Sequence, residues 1–220
     1  SLSTPTPSGS SGNVRFGVNA GNSILSGGNF NVFIGDEAGT ANTIGDENVA
    51  VGHAALVSNV AGSKSTAIGQ GALNAQNKAS DAAGDQLNTA VGYHAGVLVS
   101  TGVENTLIGA LAGDALNAGS YNVAVGFEAL STEDAHGNNV AIGNRALKTL
   151  NAGAAGLNTA VGDDAGRLVT SGIRNTLIGS EAGDALQDAD DNVALGALAL
   201  SADVLGSQST AIGRGALKVQ

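Results

Sequence analysis

Three histidines, one lysine-bearing loop and one acidic cluster are the residues whose types suit chemistry. His53 and His94 follow a glycine inside a repeated phrase, and His136 falls in a linker. A zinc-hydrolase helix needs His-Glu-x-x-His, which sets two imidazoles on one face with a carboxylate base beside them. No histidine here has such neighbours, and all three read as exposed loop residues. Gly62-Ser63-Lys64-Ser65 shares residue types with a phosphate-binding loop. It lacks the leading glycine and spacer that let backbone N–H groups wrap a phosphate, and it runs into a strand pattern instead of a helix. Asp188, Asp190 and Asp191 offer the hard oxygen ligands that calcium takes. They form a weak metal candidate, set against the alternative of a solvated turn. Catalysis needs an acid, base or nucleophile set in a concave site. No such set recurs, so the sequence predicts no catalytic residue, no cofactor and no enzyme.

The elements that would position any of these residues are unusual. Glycine supplies 34 of 220 residues, aromatics only 3%, and Cys, Met and Trp are absent. A core without large aromatic rings must be built from Ala, Val, Ile and Leu, which suits thin regular layers. The absence of cysteine removes disulfides and thiolate metal sites together. Net charge is −10, and the nine basic residues are scattered. A surface that tracks phosphates needs them clustered, so nucleic acid is not an expected partner. No apolar run approaches the length of a membrane helix, so no membrane insertion is expected in this segment.

One nine-residue phrase recurs along the chain, with central glycines Gly17, Gly35, Gly52, Gly69, Gly92, Gly109, Gly126, Gly143, Gly162, Gly179, Gly196 and Gly213. Successive glycines are 17 residues apart, except for 18 at the first step and 23 and 19 at two later ones. The 23- and 19-residue steps fall at four-unit intervals and divide the chain into sets 13–73, 88–147 and 158–217, with 1–12 read as a linker and 218–220 as a tail. In each set two units ending Ala-Gly precede two ending Ala-Leu. Seventeen residues cannot hold the helix pair of the common helical repeats. The phrase alternates as a strand does, with Val123 and Val125 on one face and Ala124 on the other. The residue before that strand is Asn in most units. It suits a turn residue, because Asn tolerates left-handed geometry, or a stacked amide ladder. The expected fold is an all-β parallel solenoid of twelve coils, each about 17 residues, rising by ~4.8 Å per coil. Both faces of its strand are apolar, and a strand buried on both faces needs a neighbour outside its own coil.

Binding residues are expected where the repeat varies, since loops on a regular scaffold carry recognition. Tyr93, His94, Tyr121, Phe127, Glu128 and Arg145 are the candidates, together with the inserts at 74–87 and 148–157. Exposed Tyr93, Tyr121 and Phe127 suit stacking on sugars or packing between chains.

Asn139-Val140-Ala141-Ile142-Gly143, Ser65-Thr66-Ala67-Ile68-Gly69 and Ser209-Thr210-Ala211-Ile212-Gly213 resemble the head repeats of YadA-type trimeric autotransporter adhesins. The longer phrase ending Ala-Leu or Ala-Gly is similar to phage tail-fibre shafts. The likeness covers about residues 13–217. It implies a left-handed β-roll, a homotrimer, and a place on a virion or bacterial cell surface as a structural or adhesive segment that meets glycans or matrix proteins. Coils in the YadA-type heads are usually shorter than these. Two other functions fit a β-solenoid: ice binding, with Thr89, Thr106, Thr159 and Thr176 in register, and degradation of polysaccharides.

Overall fold

The computed structural model describes residues 9–77, 84–133, 135–152 and 155–218. Twelve three-residue strands, from Val14–Phe16 to Thr210–Ile212, form one parallel sheet in sequence order. Each strand pairs in register with the next, as in Thr89↔Thr106, Ala90↔Leu107 and Val91↔Ile108. The phrase therefore lies over itself once per coil, and the expected β-solenoid is the fold. Eleven intervals of ~4.8 Å make a stack roughly 50 Å long. We number the coils 1 to 12 by their central glycines. A second pair, Gly62–Ser63 with Gly84–Asp85, stacks on the far side of coils 4 and 5. Among the described residues no helix is long and apolar enough to cross a membrane.

The chain turns because each coil spends four residues in the left-handed region. In coil 6 these are Glu104 (φ 57°), Gly109 (φ 132°), Leu111 (φ 58°) and Gly113 (φ 56°). The central glycine has a second constraint, because a Cβ on Gly109 would lie 2.5 Å from the Gly126 carbonyl oxygen in the next coil. The fourth left-handed place is the one that alternates between Gly and Leu. Leucine there costs about 1–3 kcal/mol of strain, and burial offsets it: Leu130 and Leu147 are fully enclosed.

That alternation has a volume reason. From coil 2 to coil 12 the middle residue of the strand points inward and is buried, whether Ala124, Leu107 or Phe33; in coil 1 it is the partly buried Arg15. Where the middle residue is large, glycine takes the fourth place. A Cβ on Gly113 would meet Leu107 Cδ2 at 2.7 Å, and one on Gly39 would meet the Phe33 ring at 2.6 Å. Where the middle residue is Ala, Leu takes the fourth place in coils 3, 4, 7, 8, 11 and 12; in coils 5 and 9, which pair Ala90 with Gly96 and Ala160 with Gly166, leucines of the two adjacent coils crowd the glycine instead. Apolar volume is thus shared between the two positions and between adjacent coils, and packing density is kept. The β-branched residues flanking the middle one point outward.

The asparagine is not the turn residue. The residue before it takes the left-handed conformation, as at Glu104 and Tyr121 (φ 62°), because the Asn side chain is needed inside. Asn105 Nδ2 donates to Asn88 Oδ1 (3.1 Å) and to the Gly119 carbonyl (2.9 Å), while its Oδ1 accepts the Asn122 backbone N–H (3.0 Å). The same pattern runs through Asn158, Asn175 and Asn192. The ladder is thus the second of the two sequence readings. Serine at position 65 is too short to continue it. Gln76 bridges the gap, donating to Ser65 Oγ (2.9 Å) and accepting from Asn88 Nδ2 (2.9 Å).

Gln76 belongs to a third interior column, seven residues after the central glycine. Leu116, Leu150 and Leu186 fill it in coils 6, 8 and 10. Polar residues there usually close the following turn, as Asn59 does by accepting the Gly62 N–H (3.1 Å). Asn42 is the exception: it is fully buried, and neither amide atom has a hydrogen-bond partner. An unpaired buried amide costs about 1–3 kcal/mol. Asn42→Leu is therefore expected to raise stability by about 1–2 kcal/mol in urea unfolding. A lower midpoint would show that the amide is bonded after all.

Candidate functional surface

Four columns of side chains share the outer face of the sheet. Two come from the strands: Thr or Val in the first place, and mainly Ile or Val in the third. None of these residues is charged in any coil, and the isoleucines at 34, 68, 108, 142 and 178 remain exposed. Two margin columns flank them. One is the left-handed residue before the ladder position, and the other is the residue after the central glycine. The margin residues adjoin the left-handed corners that bound each three-residue strand, as the exposed Leu87 and Tyr93 flank Thr89 and Val91.

The candidate residues separate on this frame. Tyr93 and Phe127 stand exposed on the same margin, two coils apart, which is about 10 Å. Tyr121 stands on the opposite margin of Phe127's coil and is also exposed. His94 turns away from them along the corner. Its ring stacks on Tyr93 (centroids 4.0 Å, planes 11° apart) and covers Gly71 of the coil before, where a Cβ would meet it at 2.6 Å. Glu128 and Arg145 are paired with side chains of the next coil at the partly exposed surface of the stack. Lys148 Nζ lies 2.6 Å from Glu128 Oε2, and Arg145 Nη2 lies 2.6 Å from Asp164 Oδ2. The insert at 74–87 falls in part on residues 78–83, and the one at 148–157 in part on 153–154, outside the described residues.

The acidic cluster is dispersed. Asp188 Oδ1 accepts from the Thr170 and Ser171 hydroxyls (both 2.7 Å), which hold its pKa below the usual carboxylate value. Asp190 Oδ1 accepts the Ile173 N–H (2.8 Å), and Asp191 forms a two-point pair with Arg174 at 2.6 and 2.9 Å. The Arg174 guanidinium lowers the Asp191 pKa. Each carboxylate faces the preceding coil, so the three do not converge on a cation. Among the described residues no group of three or more His, Cys, Asp or Glu is placed to hold a metal. The calcium reading is corrected accordingly.

His136 is also corrected. It is half-buried, with Nδ1 3.0 Å from Oε1 of Glu133, whose side chain is fully enclosed in the column that holds Leu116 and Leu150. Lys64 is paired with Asp85 at 2.7 Å, and this hydrogen bond raises its pKa. Two aspartates have raised pKa values as well. Burial, then the Glu128 charge, raises Asp114; burial, then the Glu181 charge, raises Asp184.

Sequence reasoning missed Leu87 and Leu157, which extend the apolar face at its margin. Their place immediately before the ladder position was the available signal. Comparison with family models, with curated proteins and with solved structures returns no match.

Proposed function

We propose that this chain is a structural and adhesive segment of a surface or phage tail fibre, assembled from several copies of itself. The observation that carries this reading is the outer sheet face, uncharged from coil 1 to coil 12 and lined with exposed aliphatic side chains. Its uncharged strand columns measure about 50 Å by about 10 Å, or roughly 500 Å², and margins of mixed polarity flank them. Monomers rarely expose a contiguous apolar patch of more than a few hundred Å². A stable interface buries about 800 Å² per partner, which the strand columns reach together with their margins. A homotrimer is the arrangement implied by the resemblance to trimeric heads and shafts. The corner loops would then be displayed in several copies, where weak contacts to glycans or matrix proteins gain by multivalency. We assign the chain no catalytic step.

Mass photometry and light scattering at micromolar concentration are expected to give a trimer. A clean monomer overturns the reading. Ice binding is the second reading, favoured by the in-register run Thr66, Thr89, Thr106 on the same face. Valine and isoleucine interrupt that array, and thermal hysteresis from a monomeric chain is the result that would select it.

A further inference from the structure

We infer that the margin formed by Gln70, Tyr93, Ala110, Phe127 and Asn144 binds an extended, neutral, β-linked glycan lying along the stack. One sugar ring seats on Tyr93 and the next but one on Phe127. The inference rests on the adhesive reading above and adds its ligand class and its subsite.

These five residues follow the central glycines of coils 4 to 8, whose strands pair in register, so they form one column at ~4.8 Å steps. In order they read amide, aromatic, methyl, aromatic, amide. The two rings are half exposed, Tyr93 at 50% and Phe127 at 49%. Between them stands Ala110, the smallest side chain of the column from coil 2 to coil 10. A larger side chain there would fill the gap between the rings. Two coils are about 10 Å, the length of two pyranose rings in an extended β-1,4-linked chain. Such a chain turns over at each link, so every second ring presents the same face. Two aromatic rings at that spacing meet equivalent C–H faces, and each supplies a flat apolar surface for one. Gln70 and Asn144 stand exposed one coil beyond the rings, and an amide both donates to hydroxyls and accepts from them. Asn144 is held by its Nδ2 bond to Asp163 Oδ1 (2.8 Å).

Tyr93 is braced before any ligand arrives. Its ring stacks on His94, and His94 lies against Gly71, the only glycine at that column position from coil 2 to coil 11. A Cβ at 71 would take the space of the imidazole that supports Tyr93. A platform fixed in advance loses less freedom on binding. The charge pattern selects the ligand. The column carries no Lys, Arg, Asp or Glu from coil 3 to coil 8. Beside it, Glu128 and Arg145 are paired with Lys148 and Asp164. The net charge of −10 disfavours acidic glycans. A neutral, hydroxyl-rich chain is the ligand that fits. The column stands on the rim of the interface proposed above, where solvent keeps access.

Tyr93 and Tyr121 are the only tyrosines and the chain has no Trp, so in Tyr121→Phe all tyrosine emission reports Tyr93. Cellotetraose and chitotetraose are the probes, and maltotetraose, whose α-linked chain curves, is the control. At least one β-linked probe is expected to change that emission saturably at millimolar concentration. Calorimetry is expected to show maltotetraose binding about fivefold more weakly, or not at all. Phe127→Ala and Ala110→Leu should each weaken the β-linked probe about fivefold or more, with an unchanged circular dichroism spectrum, whereas Tyr121→Ala should not. Ala110→Leu removes no contact, so it keeps the test clear if loss of Phe127 disturbs the assembly. A trimeric parent that binds neither β-linked probe overturns the site and leaves the fibre. Equal binding of maltotetraose overturns the ligand class. Equal loss in Tyr121→Ala, or none in Phe127→Ala and Ala110→Leu, overturns the assignment to this column. A parent that binds as a monomer keeps the site and overturns the assembly.

Discussion

Gly109→Ala is expected to remove about 4 kcal/mol or more of stability, from backbone strain and overpacking together. Gly213→Ala should lose only about 1–3 kcal/mol. The two glycines do the same conformational work, at φ 132° and φ 117°. They differ in what lies above them. The alanine methyl at 109 would stand 2.5 Å from the Gly126 carbonyl oxygen, whereas none of the described atoms lies within 4 Å of the corresponding point at 213. The Gly126 oxygen belongs to backbone that is itself tied to the next coil, so it has no cheap way to move. The comparison separates strain from collision at one type of site. Guanidinium unfolding of the two variants measures it, and equal losses would contradict the close approach of successive coils.

The amide ladder gives the second large effect. Asn105→Ala strips the Asn122 N–H and the Gly119 carbonyl of their partners. Each such buried group costs about 1–3 kcal/mol, so a loss of about 3–5 kcal/mol is expected. In a stack where each coil bonds mainly to its neighbours, the damage should be local. Amide hydrogen exchange is expected to accelerate most in coils 5 to 7. The Ser65–Gln76 pair suggests a repair. Asn105→Ser and Leu116→Gln should each destabilise alone, and the double variant should recover at least about 1 kcal/mol relative to their sum. Strict additivity would mean that Gln76 is not the substitute rung its hydrogen bonds describe.

Much of this architecture was readable from the glycine spacing, because a coil that stacks on itself must repeat its tightest contact at fixed length. The direction of the strand faces was not. Val123 and Ala124 are both apolar, and alternation alone does not say which points in; the narrowness of the coil decides it in favour of alanine. Three of the four left-handed corners were hidden as well, since Glu104, Leu111 and Leu130 carry no compositional sign of positive φ. The Gly-to-Leu rhythm was visible as a pattern, but its cause lies in contacts between Gly113 and Leu107 that only the folded core reveals. Among the candidate binding residues, Tyr93, Tyr121 and Phe127 were rightly expected to be exposed. Glu128 and Arg145 looked equally variable, yet their partners Lys148 and Asp164 sit about twenty residues on, one coil away. Gln76 drew no notice because the serine it serves differs from its neighbours by only one small side chain.

The in-register stacking of near-identical blocks bears on how such a rod changes size. Residues 88–147 and 158–217 share one pattern at an offset of 70, and the bonds at a block's upper edge are of the same kind as those at its lower edge. A copied or deleted block therefore finds compatible neighbours on both sides. Each such event would shift the reach of the rod by roughly 19 Å, four coils at ~4.8 Å, while leaving hydrogen bonding and core volume as they were. Length becomes a heritable quantity that moves in fixed steps.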